Sequence, residues 1–160
     1  MKNIFFYDTD IGKIGIAEEN GYITKVTFEN ISYKLEDYEV KESELIKRAY
    51  IQLKGFLGGE RREFKLPLKP LGTEFQNKVW EELCNIPYGE TRSYKEIAIN
   101  IGNDKASRAV GSANNKNPIP IFIPCHRVIG SKGKLVGYLG GIHIKEKLLK
   151  LEKNFSTKIY

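Results

Sequence analysis

Ser93-Tyr94-Lys95-Glu96-Ile97-Ala98-Ile99-Asn100-Ile101-Gly102-Asn103-Asp104-Lys105-Ala106-Ser107-Arg108-Ala109-Val110-Gly111-Ser112-Ala113 is the stretch on which the fold turns. Ser93-x-x-Glu96 has the form of a capping box, in which hydroxyl and carboxylate satisfy two free backbone N–H groups, so a helix opens at Tyr94. Asn100-Ile101-Gly102-Asn103 breaks it, and Asp104 is placed to cap another helix running through Ala113. Two short helices around a Gly-containing turn predict a helix-turn-helix. The second helix carries Ala106, Ser107, Ala109, Gly111, Ser112 and Ala113, all small, and one long cation, Arg108. Such a helix can pack closely on a neighbour. It can equally approach the DNA minor groove, which is about 6 Å wide and carries little sequence information. It lacks the long polar side chains with which a major-groove helix reads base edges. Sequence-tolerant binding follows from the groove reading, with Arg108 free to insert into a duplex.

Towards the N-terminus, Thr73-x-x-Gln76 is a second capping box, opening a helix with Phe75, Val79, Trp80 and Leu83 as its core stripe. Cys84 reads as packing near that helix's end, and Pro87-Tyr88-Gly89 as a turn. Pro67-Leu68-Lys69-Pro70-Leu71-Gly72 reads as a linker between an N-terminal lobe, 1–68, and a C-terminal domain, 69–160. In the first lobe, Ile4–Tyr7, Ile14–Ala17 and Tyr22–Phe28 are predicted strands, with Asn20-Gly21 a hairpin turn. Residues 30–40 show no period and are expected to be loop. Leu45, Ile46, Ala49, Tyr50, Leu53, Phe56 and Leu57 recur at helical spacing, between Ser43 as cap and Gly58-Gly59 as stop. Arg62–Leu66 is expected to return as a further strand. The class is α+β: an antiparallel sheet with one helix, then a helical lobe.

Composition narrows the function. With 160 residues, 41% hydrophobic and 29% charged, the chain suits one folded domain or two small lobes. A net charge of +6 favours an acidic partner such as nucleic acid. No apolar run approaches the roughly 20 residues of a membrane helix, and the N-terminus lacks signal-peptide character. A cytoplasmic protein is expected, with no membrane partner and, by default, monomeric. Cys84, Cys125, His126 and His143 match no zinc-ligand spacing, and adjacent Cys125 and His126 would strain to share one tetrahedral ion. No metal is expected.

Towards the C-terminus, Ile119-Pro120-Ile121-Phe122-Ile123-Pro124-Cys125-His126 is an apolar run stiffened by prolines and ending on a thiol beside an imidazole. Cys125 can be a small core residue or a nucleophile next to its base. Gly130, Gly133, Gly137, Gly140 and Gly141 make either a flexible surface loop or one that lets backbone approach a ligand. In the last helix, from about Ile142 to Lys153, Leu148, Leu149 and Glu152 share a face. Glu152 is then either exposed or an inward partner for a buried histidine.

Pro124-Cys125-His126-Arg127-Val128-Ile129-Gly130 resembles the active-site signature of the methylated-DNA–protein-cysteine methyltransferases, also called 6-O-alkylguanine-DNA alkyltransferases. The resemblance extends through Phe75-x-x-x-Val79-Trp80, Ile86-Pro87-Tyr88-Gly89-Glu90, Ser93-Tyr94, Ser107-Arg108-Ala109-Val110-Gly111, Asn117-Pro118, Tyr138-x-Gly140-Gly141 and Lys145-x-x-Leu148-Leu149-x-x-Glu152. It covers the C-terminal lobe; the N-terminal lobe agrees in size and coarse pattern. The resemblance implies a ribonuclease H-like N-terminal lobe and a winged-helix-like helix-turn-helix. It implies transfer of an alkyl group from 6-O-alkylguanine, and 4-O-alkylthymine, in double-stranded DNA to Cys125, once per molecule and without a cofactor. His126 would act as base through a water and Glu152 would orient it. Tyr94 would crowd a phosphate and help protonate the departing guanine, and Asn117 would brace the turn before Cys125. Arg108 would fill the place of the flipped nucleotide, with Tyr94, Ala106, Ser107, Ala109 and Gly111 also at the DNA. Val128, Leu135, Tyr138, Leu139 and Gly140 would line the guanine pocket. Two departures matter: no cysteine or histidine precedes Cys84, so no N-terminal zinc site carries over. Leu139 replaces a small polar residue found in some relatives.

Two other readings remain at this level. One is a binding-only lesion sensor or regulator with a structural Cys125. The other is a cysteine hydrolase using Cys125, His126 and Glu152.

Overall fold

The computed structural model describes residues 2–29 and 34–156. β1 (Lys2–Thr9), β2 (Gly12–Glu19) and β3 (Tyr22–Phe28) form an antiparallel meander. Asn20 and Gly21 both take positive φ, 53° and 83°, as a two-residue hairpin turn between twisted strands requires. The expected loop over residues 30–40 contains a short strand, β4 (Tyr38–Val40), paired parallel to β1. The sheet is therefore mixed, in the order β3-β2-β1-β4. Three residues are too few to show an alternation, and their pairing is decided by β1. Residues 30–33 lie outside the described residues.

α1 (Glu44–Leu57) is capped by Ser43, whose hydroxyl accepts from the Ile46 N–H, and ends at Gly58. The strand expected over Arg62–Leu66 does not form. Gln52 instead clamps Lys65, accepting from its N–H at 2.8 Å and donating to its carbonyl at 3.2 Å. The chain then meets the sheet at Leu68, which bridges Ile23. The Pro67 carbonyl accepts from Ile23, and the Lys69 N–H donates back. Pro67 and Pro70 lack N–H donors, so the ladder cannot extend.

α2 (Glu74–Cys84) opens with the predicted capping box. Val79, Trp80 and Leu83 are buried, and the Trp80 indole donates to the Ala113 carbonyl at 2.9 Å. Cys84 is exposed, which overturns its reading as a packing residue: it falls on the outer side of the last turn. β5 (Arg92–Ser93) leads directly into α3 (Tyr94–Asn100), whose capping box is also complete. α3 ends in a Schellman turn: Asn103 N–H bonds the Ala98 carbonyl and Gly102 N–H bonds that of Ile99, with Gly102 at φ 85°. Asp104 does not cap the next helix. The turn continues to Ala106, and α4 (Ser107–Asn115) starts there without a side-chain cap. A three-residue 3₁₀ turn at Cys125–Arg127 leads into β6 (Val128–Ile129), which pairs with β5, and α5 (Ile142–Ser156) closes the fold.

One apolar core runs through both lobes. It joins Ile16 and Val26 of the sheet and Leu53 and Phe56 of α1 to Trp80, Val110 and the segment Ile119–Ile123. Phe64 forms the bridge, 5.1 Å from Phe56 and 4.7 Å from Phe122 between ring centroids. The N-terminal lobe thereby backs the segment that carries Cys125. Among the described residues no helix is long and apolar enough to cross a membrane.

Candidate active site

Cys125 is 3% exposed, on the first residue of the 3₁₀ turn. Pro118, Pro120 and Pro124 stiffen its approach, but hydrogen bonds close it. Asn117, fully buried, accepts from the Ile119 N–H and donates to the Ile123 carbonyl, both at 2.9 Å. The Cys125 N–H returns to Ile123 at 2.8 Å, and Asn114 reaches the Cys125 carbonyl at 3.4 Å. Ile121 sits at φ 76°, a left-handed conformation that a β-branched residue takes only when its surroundings impose it. Its backbone amide is one of the groups that favour the ionised form of Cys125.

Burial pushes the Cys125 thiol up to about 11; the Asn117 side chain and the Lys145 ammonium pull the other way without prevailing. At neutral pH the resting group is a thiol, and attack by its sulfur requires a base.

That base lies next in sequence. His126 is fully buried, and its Nε2 is 2.6 Å from Glu152 Oε2. Burial opposes ionisation of Glu152, but the His126 contact and the Arg127 guanidinium outweigh it and hold the carboxyl down at about 2. Burial lowers His126 against the pull of Glu152, so the imidazole is neutral at physiological pH. A carboxylate can only accept, so Nε2 carries the hydrogen. Nδ1, buried and without a partner among the described residues, keeps its lone pair. The carboxylate and tautomer together make Nδ1 the proton acceptor.

Glu152 is anchored on three further sides. Arg127 Nε donates to it at 2.9 Å, Arg127 Nη2 at 3.0 Å, and the Gly89 N–H at 3.0 Å. Arg127 is fixed in turn by the Ile86 carbonyl and the Tyr88 ring. Gly89, at φ 81°, lies so close to Ser156 that a side chain would collide, which explains the glycine of the Pro87-Tyr88-Gly89 turn.

The structure brings Cys125, His126, Glu152 and Asn117 together. Tyr94 stands at the start of α3 beside Gly111; its hydroxyl donates to the Val136 carbonyl at 3.4 Å, and burial raises its pKa. On α4, Arg108 and Ala109 are exposed, Ser107 and Gly111 half-buried, while Ala106 packs into the core. Val128 is buried, Leu135 half-buried, and Gly140 lies close under Phe28 and Ile144. Tyr138 tilts against Phe28, its hydroxyl buried without a partner among the described residues and its pKa raised by that burial. Leu139, 38% exposed, faces outward near Lys116 and Pro118.

Sequence reading assigned no role to Arg127 or Lys145. Lys145 is fully buried and donates to the Val136 carbonyl at 2.9 Å; burial lowers its pKa, and ionisation of Cys125 would raise it. The signal for it was its spacing from Leu148 and Glu152, which puts all three on one face of α5. Among the described residues, no group of three or more His, Cys, Asp or Glu side chains is placed to hold a metal.

The site holds a buried thiol next to a neutral, carboxylate-paired histidine, beside a helix-turn-helix. Residues 74–154 match the family model of the 6-O-methylguanine DNA methyltransferase DNA-binding domain. The chain is 52% identical over 148 residues to a methylated-DNA–protein-cysteine methyltransferase of Methanosarcina acetivorans, covering 91% of this chain and 95% of the relative. It is 45% identical over 152 residues to the constitutive enzyme of Bacillus subtilis, covering 91% and 92%. The crystal structure of Mycobacterium tuberculosis OGT in complex with DNA superposes with a TM-score of 0.90 at 43% identity, covering 96% of this chain and 94% of that one. The chain belongs to the methylated-DNA–protein-cysteine methyltransferase family.

Proposed function

We propose that this protein is a methylated-DNA–protein-cysteine S-methyltransferase that repairs duplex DNA by moving the alkyl group of 6-O-alkylguanine, and of 4-O-alkylthymine, onto Cys125. The observation that carries this reading is the buried thiol next to a neutral, Glu152-paired His126 whose Nδ1 is free to accept a proton. In the reaction the Cys125 proton passes through a water to Nδ1. The sulfur forms a bond to the alkyl carbon, the carbon–oxygen bond breaks, and its electron pair remains on the guanine oxygen. Tyr94, kept protonated by burial, supplies a proton to the departing base. The thioether is stable and no second nucleophile follows, so each molecule reacts once.

A stacked base hides the alkyl carbon, so the nucleotide must be flipped out, at a cost of a few kcal/mol that is lower for a damaged base. Arg108, exposed on α4 among small residues, fills the gap. Ser107, Ala109 and Gly111 let that helix approach the minor groove. Val128, Leu135, Tyr138 and Gly140 form the wall for the flipped guanine, and Leu139, which faces outward, drops out of it. Residues 69–160 carry this chemistry and residues 1–68 back it. The reading takes the protein to act as a cytoplasmic monomer without a cofactor.

The test is intact mass after incubation with duplex DNA carrying 6-O-methylguanine. One methyl group gained, mapped to Cys125 and absent in Cys125→Ser, is expected. Tight binding with unchanged mass would replace this reading with a lesion sensor.

A further inference from the structure

α1 covers one face of the sheet, where Tyr50 stacks on Tyr7 at 3.8 Å between centroids. Strand alternation and the β1-β2-β3 register put Lys2 and Lys25 on the opposite face. A groove of about 590 Å³ opens there. Lys2, Lys25, Lys34 and Lys116 line it, against one carboxylate, Asp37. Among the described residues none of the four lysines has an ion-pair partner. Lys116 is the C-terminal cap of α4, so the groove begins where that helix ends. Asn117 and Leu139 in its wall join it to the acceptor loop.

We propose that this groove holds the phosphodiester backbone of the DNA flanking the lesion, so that the N-terminal lobe is itself a DNA-binding surface. The inference rests on α4 being the DNA-binding helix. The groove then continues the same footprint across the lobe boundary, with excess positive charge. Flexible point charges on lysine suit phosphates and carry no sequence information. A folded protein partner would need a buried aromatic or arginine anchor pocket, and the lysines leave the floor poorly suited to one.

The test compares the wild type with two variants, Lys2→Gln/Lys25→Gln and Lys34→Gln/Lys116→Gln. Binding to a three-turn duplex carrying one 6-O-methylguanine is titrated with salt. Each lost phosphate contact should lower the slope of log affinity against log salt by about 0.9. The wild type should therefore lose about 12-fold more affinity than either double variant between about 50 and 200 mM salt. Melting temperature and methyl transfer from free 6-O-methylguanine should be unchanged in Lys2→Gln/Lys25→Gln. Equal slopes in wild type and both variants, with normal repair, would overturn the groove and leave the proposed function standing. A wild type that takes no methyl group from duplex DNA would remove the function itself. Concentration-dependent self-association lost in the variants, with no change in slope, would place a second copy in the groove and refute the DNA reading.

Discussion

Glu152→Gln removes one charge from the buried His126–Glu152–Arg127 group and nearly preserves its shape. In the wild type the carboxyl is held at about 2, against an ordinary 4.5. At about 1.4 kcal/mol per tenfold in proton affinity, that corresponds to about 3 kcal/mol of native stability from the ionised form. The folded value lies below the unfolded one, so this stability is present above pH 4.5 and lost as pH falls towards 2. His126 acts in the same direction in a higher window. Its folded value lies below 6.5, so the unfolded chain binds the proton more readily and stability falls as pH drops below 6.5. Glu152→Gln also leaves the Arg127 guanidinium buried without its counter-charge, which adds to the loss. Urea denaturation near neutral pH should find the variant at least about 3 kcal/mol less stable. The gap should shrink through the acid range as the wild-type carboxyl takes up its proton. Single-turnover methyl transfer should slow, because the His126 tautomer is no longer enforced, while DNA binding persists. A variant as stable as the wild type at neutral pH, or a gap that acid does not narrow, would refute the electrostatic account. An unchanged transfer rate would remove Glu152 from the mechanism.

Lys145→Met takes a cation away from the thiol, so Cys125 should be held still higher than about 11. The rising limb of the pH–rate profile should move about one pH unit towards alkali; an unmoved limb would leave Lys145 with only its bond to Val136. Arg108→Ala should slow repair of duplex DNA by about 100-fold, the equivalent of losing a few kcal/mol of support for the unstacked state. Transfer from the free alkylated base should be unaffected, and an equal loss on both substrates would contradict the role of Arg108 in flipping.

What could be read along the chain was local. The capping boxes at Thr73 and Ser93 and the Asn20-Gly21 turn use hydrogen bonds within a few residues, so residue identity is enough. Asp104 shows the limit of the same logic. It has the right chemistry for a cap, but the Schellman turn at Gly102 delays the helix to Ser107. β4 and the bridge at Leu68 escaped because their partners, β1 and Ile23, are far away in sequence. The Cys84 error has the same origin: whether the last turn of a helix is covered depends on what packs there.

The site divides along the same line. Sequence by itself determined the chemical inventory: a thiol, an imidazole beside it, a carboxylate sharing a face with Leu148 and Leu149 on the last helix, and a helix of small residues with one arginine. Tertiary structure decided how these groups behave. Glu152 meets His126 and Arg127 across 26 and 25 positions, and those contacts hold the carboxylate ionised and the histidine in one tautomer. The strained Ile121 amide, the buried Lys145 and the enclosure that keeps Cys125 a thiol are equally invisible in one dimension. The physical reason is that pKa and backbone strain depend on desolvation and on distant charges, which exist only once the chain has closed around them.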